Sequence, residues 1–149
     1  MTEIRFYHLQ RQTQDQVLPA LLGKACAGGR RIVLKLRDEG EVRRVNEHLW
    51  TFQPNSFLPH GSRKDGNADQ QPIWLTERDE NPNGADVLIV GQGADTAMQK
   101  DFSLCCEMLD GRDETAVHAA RQRWKAYKDE GFTVTYWRQN ERGGWEQKA

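Results

Sequence analysis

The chain contains the stretch Arg31-Ile32-Val33-Leu34-Lys35-Leu36, whose apolar run is almost unbroken. Neighbouring side chains of a strand point to opposite faces of a sheet, so apolar residues at consecutive positions are typical of a strand with helices packed on both faces. The stretch therefore predicts an interior strand of an α/β sheet.

Amphipathic helices are predicted on both sides of this strand. Residues 14–27 carry apolar side chains at helical spacing, between a capping-box pattern and the pair Gly28-Gly29. A second cap, Asp38-Glu39-Gly40-Glu41, precedes a helix that ends near Thr51. With a short aromatic strand at residues 5–9, the first third of the chain has the order β, α, β, α.

The rest of the chain predicts four more strands and one more helix. The strands are expected at residues 72–75, 86–90, 102–109 and 132–137. The helix begins at Asp113 and ends at Gly131, and residues 61–71 are expected to form a mobile surface loop. The pattern predicts an open, mixed α/β sheet with helices on both faces, and consecutive strands without helices predict an antiparallel portion.

Length and composition favour one domain. The 149 residues suffice for one packed core, expected at residues 1–137, followed by a flexible polar tail at 138–149.

The 21 basic and 22 acidic residues give a net charge of -1, whereas direct nucleic-acid binders usually have a basic excess. The N-terminus lacks a signal-peptide pattern and no apolar stretch approaches the roughly 18 residues of a membrane span, so a soluble, cytoplasmic protein is expected.

The motifs for cofactors and metals are incomplete. Gly91-Gln92-Gly93 follows a predicted strand, but Thr96 stands where a dinucleotide fingerprint needs its third glycine. Gly23-Lys24-Ala25 lacks the Ser or Thr of a phosphate-binding loop. The four histidines have no i, i+4 pair, and the three cysteines form no C-x-x-C motif, so neither a cofactor nor a metal is expected.

Two clusters are candidates for binding. The last helix carries Arg121, Arg123, Lys125 and Lys128 interleaved with aromatic residues; these cations either stabilise the helix C-terminus or form an anion site. The second cluster lies in and beside a proline-bounded connection and consists of Trp50, Phe52, Phe57, Leu58 and Pro59; it indicates either core packing or an exposed surface for a protein partner.

Short motifs in a fixed order resemble the chi subunit family of bacterial DNA polymerase III. They are Phe6-Tyr7, Leu49-Trp50, Ser56-Phe57-Leu58-Pro59-His60, Pro72-Ile73-Trp74, Asp86-Val87-Leu88-Ile89, Arg123-Trp124-Lys125-Ala126-Tyr127-Lys128 and Gly131-Phe132. The resemblance extends from about Arg5 to Trp137. It implies a Rossmann-like, nucleotide-binding-like topology without a phosphate-binding loop, in a subunit that has no activity of its own.

The resemblance also implies partners. Chi-like proteins pair with the psi subunit, through which they join the clamp loader, and they bind the acidic C-terminal tail of single-stranded DNA-binding protein. By position, the implied tail-binding residues are Val117, Arg121, Trp124, Lys125 and Lys128. The implied psi-binding residues are Trp50, Phe57 and Leu58.

Two other functions are open from the residues alone. One is a small enzyme that binds a nucleotide or another small molecule, suggested by Gly91-Gln92-Gly93 after a strand. The other is a direct binder of single-stranded nucleic acid, with Trp124 and Tyr127 as stacking platforms beside the cations.

Overall fold

An open sheet forms the centre of the fold in the computed structural model, which describes residues 2–10, 12–51, 59–142 and 144–149. Its strands are β1 (Glu3–Leu9), β2 (Ile32–Lys35), β3 (Gly61–Ser62), β4 (Ile73–Thr76), β5 (Val87–Val90), β6 (Leu104–Asp110), β7 (Thr133–Gln139) and β8 (Trp145–Gln147). The helices are α1 (Gln14–Ala27), α2 (Glu39–Thr51) and α3 (Glu114–Asp129). The described residues thus confirm the predicted α/β class, with eight strands where six were expected.

The strands lie in the order β3-β4-β2-β5-β6-β1-β7-β8. All neighbouring pairs are parallel except β7 and β8, which are antiparallel. The strand β2 lies between β4 and β5, so the prediction of an interior strand is confirmed.

Alternating side chains of the sheet build two cores. Ile32 and Leu34 belong to a core cluster on one face, to which α1 and α2 contribute, whereas Val33 belongs to the cluster on the other face, below α3. The predicted placement of helices on both faces is therefore confirmed. It explains why consecutive residues of β2 are all apolar.

The helix starts follow the predicted caps. The Thr13 hydroxyl accepts from the backbone N–H of Gln16 at 3.3 Å, while the Gln16 side chain accepts from the N–H of Thr13 at 2.8 Å. The Asp113 carboxylate accepts from the first turn of α3, at 3.0 Å from the nitrogen of Thr115. These contacts satisfy N–H groups that have no partner within a helix.

The antiparallel portion was predicted in the wrong place. The strands β4, β5 and β6 follow one another without an α-helix, yet β5 and β6 are parallel to each other and β4 and β5 are both parallel to β2. The connections at residues 77–86 and 91–103 are long enough to return the chain to the same edge of the sheet without an α-helix.

Two segments expected to be irregular contain ordered elements. The segment 61–71 includes β3 and a 3-10 turn at Ala68–Gln70. The predicted domain boundary at 137 falls within β7, and the following tail returns as β8. The tail pairs because the Asn140 side chain closes the turn: its Oδ1 accepts from the N–H groups of Arg142 and Gly144, both at 2.9 Å.

Candidate partner-binding site

The helix α3 presents two adjacent stripes of side chains. Val117, Ala120, Trp124 and Tyr127 follow helical spacing and pack against the sheet, with Ala120 and Tyr127 buried. Arg121 is one position beyond Ala120 and is exposed. Because of this offset, the helix places an aromatic edge and a row of cations side by side.

A cavity of about 490 Å³ lies between α3 and the end of the sheet. The residues that line it are His8, His118, Arg121, Gln122, Trp124, Lys125, Tyr136, Arg138 and Ala149. They come from β1, α3, β7 and the residues after β8, so the site depends on the tertiary fold and not on the helix alone.

Aromatic rings form the apolar part of this cavity. The rings of Trp124 and Tyr136 meet edge to face with centroids 6.1 Å apart, and Phe6 lies behind both at 6.2 Å. Below them, Nδ1 of the buried His8 is 2.5 Å from the hydroxyl of Tyr136. Such a rigid aromatic wall can bind an apolar side chain.

The cations at the cavity form no ion pair among the described residues, although the C-terminal residue Ala149 also lines the cavity. Within the described residues, no carboxylate lies within ion-pair distance of Arg121, Lys125 or Arg138. Positive charge beside an apolar wall is a combination that fits an acidic ligand with an apolar group.

Arg123 has a different role. Its Nε donates to Oε1 of the buried Glu107 at 2.9 Å, and the Tyr127 hydroxyl donates to the other oxygen of the same carboxylate at 2.5 Å. Arg123 therefore belongs to a structural network under α3. Tyr127 is buried in that network, which removes it as a stacking platform for nucleic-acid bases.

The unpaired cations also act on the groups below them. Burial lowers the pKa of His8, and the charges of Arg138 and Arg121 lower it further. Burial raises the pKa of Tyr136, whereas the charges of the same two arginines lower it. Both guanidinium groups are thus close enough to one point of the cavity floor to influence its titration.

The structure separates the five residues assigned to tail binding. Arg121, Trp124 and Lys125 line the cavity. Lys128 stands over the Trp124 ring, with Nζ 4.8 Å from the ring centroid, outside the cavity lining. Val117 packs against the core cluster below α3 and also lies outside the lining, because its position on the helix directs it to the sheet.

The residues assigned to psi binding lie elsewhere. Trp50 ends α2 with 46% of its surface exposed and is the one exposed large apolar side chain in the described part of the chain. Its ring lies 4.3 Å from that of His60. Phe57 and Leu58 lie outside the described residues.

Six residues of the cavity lining were not predicted from the sequence, namely His8, His118, Gln122, Tyr136, Arg138 and Ala149. His8 belongs to β1, and Tyr136 and Arg138 belong to β7, so the pairing of these two strands brings the three residues together. The alternation in β7 was the one available signal, since Tyr136 and Arg138 must share a face.

A larger cavity of about 650 Å³ lies between α1 and the sheet. It is lined by apolar residues and three cations, but Arg5 pairs with Glu3 at 2.6 Å and Arg30 with Asp86 at 3.3 Å. Of these three cations, only Lys24 lacks a carboxylate partner among the described residues. The smaller cavity therefore has the stronger unbalanced charge.

The glycine-containing loop after β5 is occupied by contacts within the chain. The N–H of Gly91 donates to the carbonyl of Lys35 at 2.9 Å, and the N–H of Gln92 donates to the Gln14 side chain at 2.5 Å. Lys35 itself is buried and pairs with Asp79 at 2.6 Å. Donors that a phosphate group would need are thus already used at this edge of the sheet.

The described residues contain neither a cluster of metal ligands nor a membrane-spanning helix. No group of three or more His, Cys, Asp or Glu in the described residues is placed to hold a metal ion. No helix within the same residues is long and apolar enough to span a membrane.

Comparison with known proteins identifies the family. Residues 1–135 match the family model described as DNA polymerase III chi subunit, HolC. The chi subunit of Escherichia coli is 26% identical over 144 residues, 90% of this chain and 96% of that protein, and that of Pseudomonas aeruginosa is 27% identical over 139 residues, 90% and 94%. A probable chi subunit of Rickettsia prowazekii is 30% identical over 97 residues, which are 65% of this chain and 59% of that protein. The chain therefore belongs to the chi subunit family of DNA polymerase III, accessory subunits in DNA replication.

Proposed function

We propose that this chain is a non-catalytic adaptor that binds the acidic C-terminal tail of single-stranded DNA-binding protein through the cavity between α3 and β7. The supporting observation is the set of unpaired cations, Arg121, Lys125 and Arg138, beside the Trp124 ring. An acidic peptide that ends in an apolar residue has the matching charge and shape.

The same proposal assigns psi to the surface around Trp50, through which the chain joins the clamp loader. An exposed tryptophan at the end of a helix supports this assignment, because aromatic anchors carry much of the binding energy of protein interfaces. The location that goes with this role is the bacterial cytoplasm, at the replication fork.

One tail should bind weakly. A buried aromatic side chain contributes about 1.5–3 kcal/mol, and each exposed ion pair roughly 0.2–1 kcal/mol. A dissociation constant near micromolar, about -8 kcal/mol, is the expected upper limit of affinity. Several tails on one oligomer would increase the effective affinity.

Calorimetric titration with a synthetic acidic peptide ending in Pro-Phe tests tail binding. The wild-type chain should bind saturably, and Arg121→Glu with Lys125→Glu should abolish the heat because the site becomes acidic. The matched control is Arg43→Glu with Lys64→Glu, which reverses two exposed cations outside the cavity. Equal loss in both double variants, or no binding by the folded wild type, would remove the assignment.

Co-purification with psi tests the second surface. Trp50→Ala should weaken psi binding by at least about tenfold without changing the fold, since the side chain is half exposed. Arg43→Ala, on the same helix, is the control. Retention of full psi affinity by Trp50→Ala would place the psi surface elsewhere.

A further inference from the structure

The strand β7 adds a second guanidinium group to the cavity. Arg138 lies opposite His8 in the parallel pairing of β1 and β7, and Tyr136 lies opposite Phe6. Residues two apart in a strand share a face, so Tyr136 and Arg138 both project toward α3, whereas Trp137 belongs to the core on the other face.

Arg121 and Arg138 approach one region from different elements. Both line the cavity, and both have electrostatic effects on His8 and on Tyr136. Neither has a carboxylate partner in the described part of the chain. Two unpaired guanidinium groups on one apolar site repel each other, and a bound carboxylate would relieve that repulsion.

We infer that Arg138 is a specificity-determining residue that holds the terminal carboxylate of the ligand together with Arg121. The aromatic pair Trp124 and Tyr136 then receives the apolar side chain of the last ligand residue, and Lys125 meets an acidic residue upstream. This inference rests on the proposed tail-binding function and adds the reason why the site selects the end of a chain over an internal acidic segment.

The rigid floor below Arg138 favours this role. His8 is 3% exposed and its ring packs against Gly111, where an added Cβ would lie 2.0 Å from Nε2. With Nδ1 held at the Tyr136 hydroxyl, the ring has no room to turn away. The floor of the aromatic slot is therefore fixed, and the two guanidinium groups project beside it from α3 and β7.

The test uses the full chain and two forms of the same acidic peptide, one with a free C-terminal carboxylate and one with a C-terminal amide. Arg138→Gln should weaken binding of the free-acid peptide about tenfold, equivalent to about 1.4 kcal/mol, and should change binding of the amide less than twofold. Arg138→Lys should retain part of the affinity, since it keeps the charge but not the planar pair of donors.

Arg142→Gln is the matched control, because Arg142 is exposed, lies close in sequence and does not line the cavity. It should leave both peptides unaffected. The inference is overturned if Arg138→Gln behaves like Arg142→Gln while Arg121→Gln still weakens binding, or if Arg138→Gln weakens the acid and the amide equally. Failure of the wild type to bind the free-acid peptide would instead overturn the proposed function itself.

Discussion

At the scale of single residues, two arginines of α3 have different surroundings and different roles. Arg121 and Arg123 lie in the same basic helix, and composition does not distinguish them. The structure directs Arg121 to an open cavity and Arg123 to the buried Glu107. The basic cluster predicted a binding helix. Which arginine lines the cavity and which pairs with Glu107 depends on which of the two faces the sheet.

Substitution of these arginines should affect stability differently. Arg123→Met leaves the buried Glu107 without its cationic partner and should lower the free energy of unfolding by about 1–3 kcal/mol. Arg121→Met should change it by less than about 0.5 kcal/mol, because the side chain is exposed and unpaired. Urea denaturation followed by circular dichroism measures both, and equal losses would contradict the assignment.

Binding of the acidic peptide should be coupled to protonation of His8. Burial, Arg138 and Arg121 lower the pKa of His8 from its ordinary value of 6.5, whereas Asp110 raises it. An anion between the arginines offsets their effect and raises that pKa, so by linkage the protonated form binds the anion more tightly. Affinity should rise a few fold, to an order of magnitude at most, as the pH falls below about 6.5.

Calorimetry above and below pH 6.5 and NMR titration of the His8 ring measure this coupling. In the free chain, the unfolded state binds more protons than the folded state, so stability should fall as the pH drops below 6.5. His118→Gln is the control, since His118 also lines the cavity but is exposed. An unchanged His8 pKa on peptide binding would refute the coupling.

At the scale of elements, the helices and most strands could be predicted, because hydrophobic spacing and caps are local signals. The direction of β4 and β5 could not be predicted, because the sequence of a strand does not indicate whether it pairs in parallel or antiparallel. The tail after β7 was misjudged for a similar reason. The tail is mostly polar, and its sequence does not indicate that Trp145 contacts Tyr7. The two rings meet edge to face with centroids 4.9 Å apart.

The strand β8 should contribute measurably to stability. Trp145 is partly buried against the core cluster on the α1 face, so Trp145→Ala should lower the free energy of unfolding by about 1–2 kcal/mol, less than for a fully buried aromatic residue. Glu146→Ala, on the same strand but exposed, should have little effect. Thermal unfolding of the two variants compares them, and equal midpoints would show that β8 does not pack as described.

At the scale of the whole molecule, the two proposed surfaces lie toward opposite ends of the sheet. Trp50 ends α2, which packs near β3 and β4, whereas the cavity lies at β1 and β7. The proposed function therefore assigns the two partners to separate surfaces of the chain. The sequence could suggest both surfaces, but only the order of the strands separates them.

The charge of the whole molecule argues against direct binding of nucleic acid. The net charge is -1, and Tyr127 is not available for stacking. Fluorescence anisotropy with a labelled single-stranded oligonucleotide should therefore stay flat even at low salt, where backbone binding is strongest. Tight low-salt binding that weakens steeply with added salt would favour the direct binder instead.

The acidic tail is proposed to bind between α3 and β7, and NMR mapping tests this placement most directly. Titration of the ¹⁵N-labelled chain with the free-acid peptide should shift the indole N–H of Trp124 and the amides of residues 121–125 and 136–138. The indole of Trp50 should stay in place. Shifts centred on Trp50, or an unchanged spectrum at millimolar peptide concentrations, would contradict binding between α3 and β7.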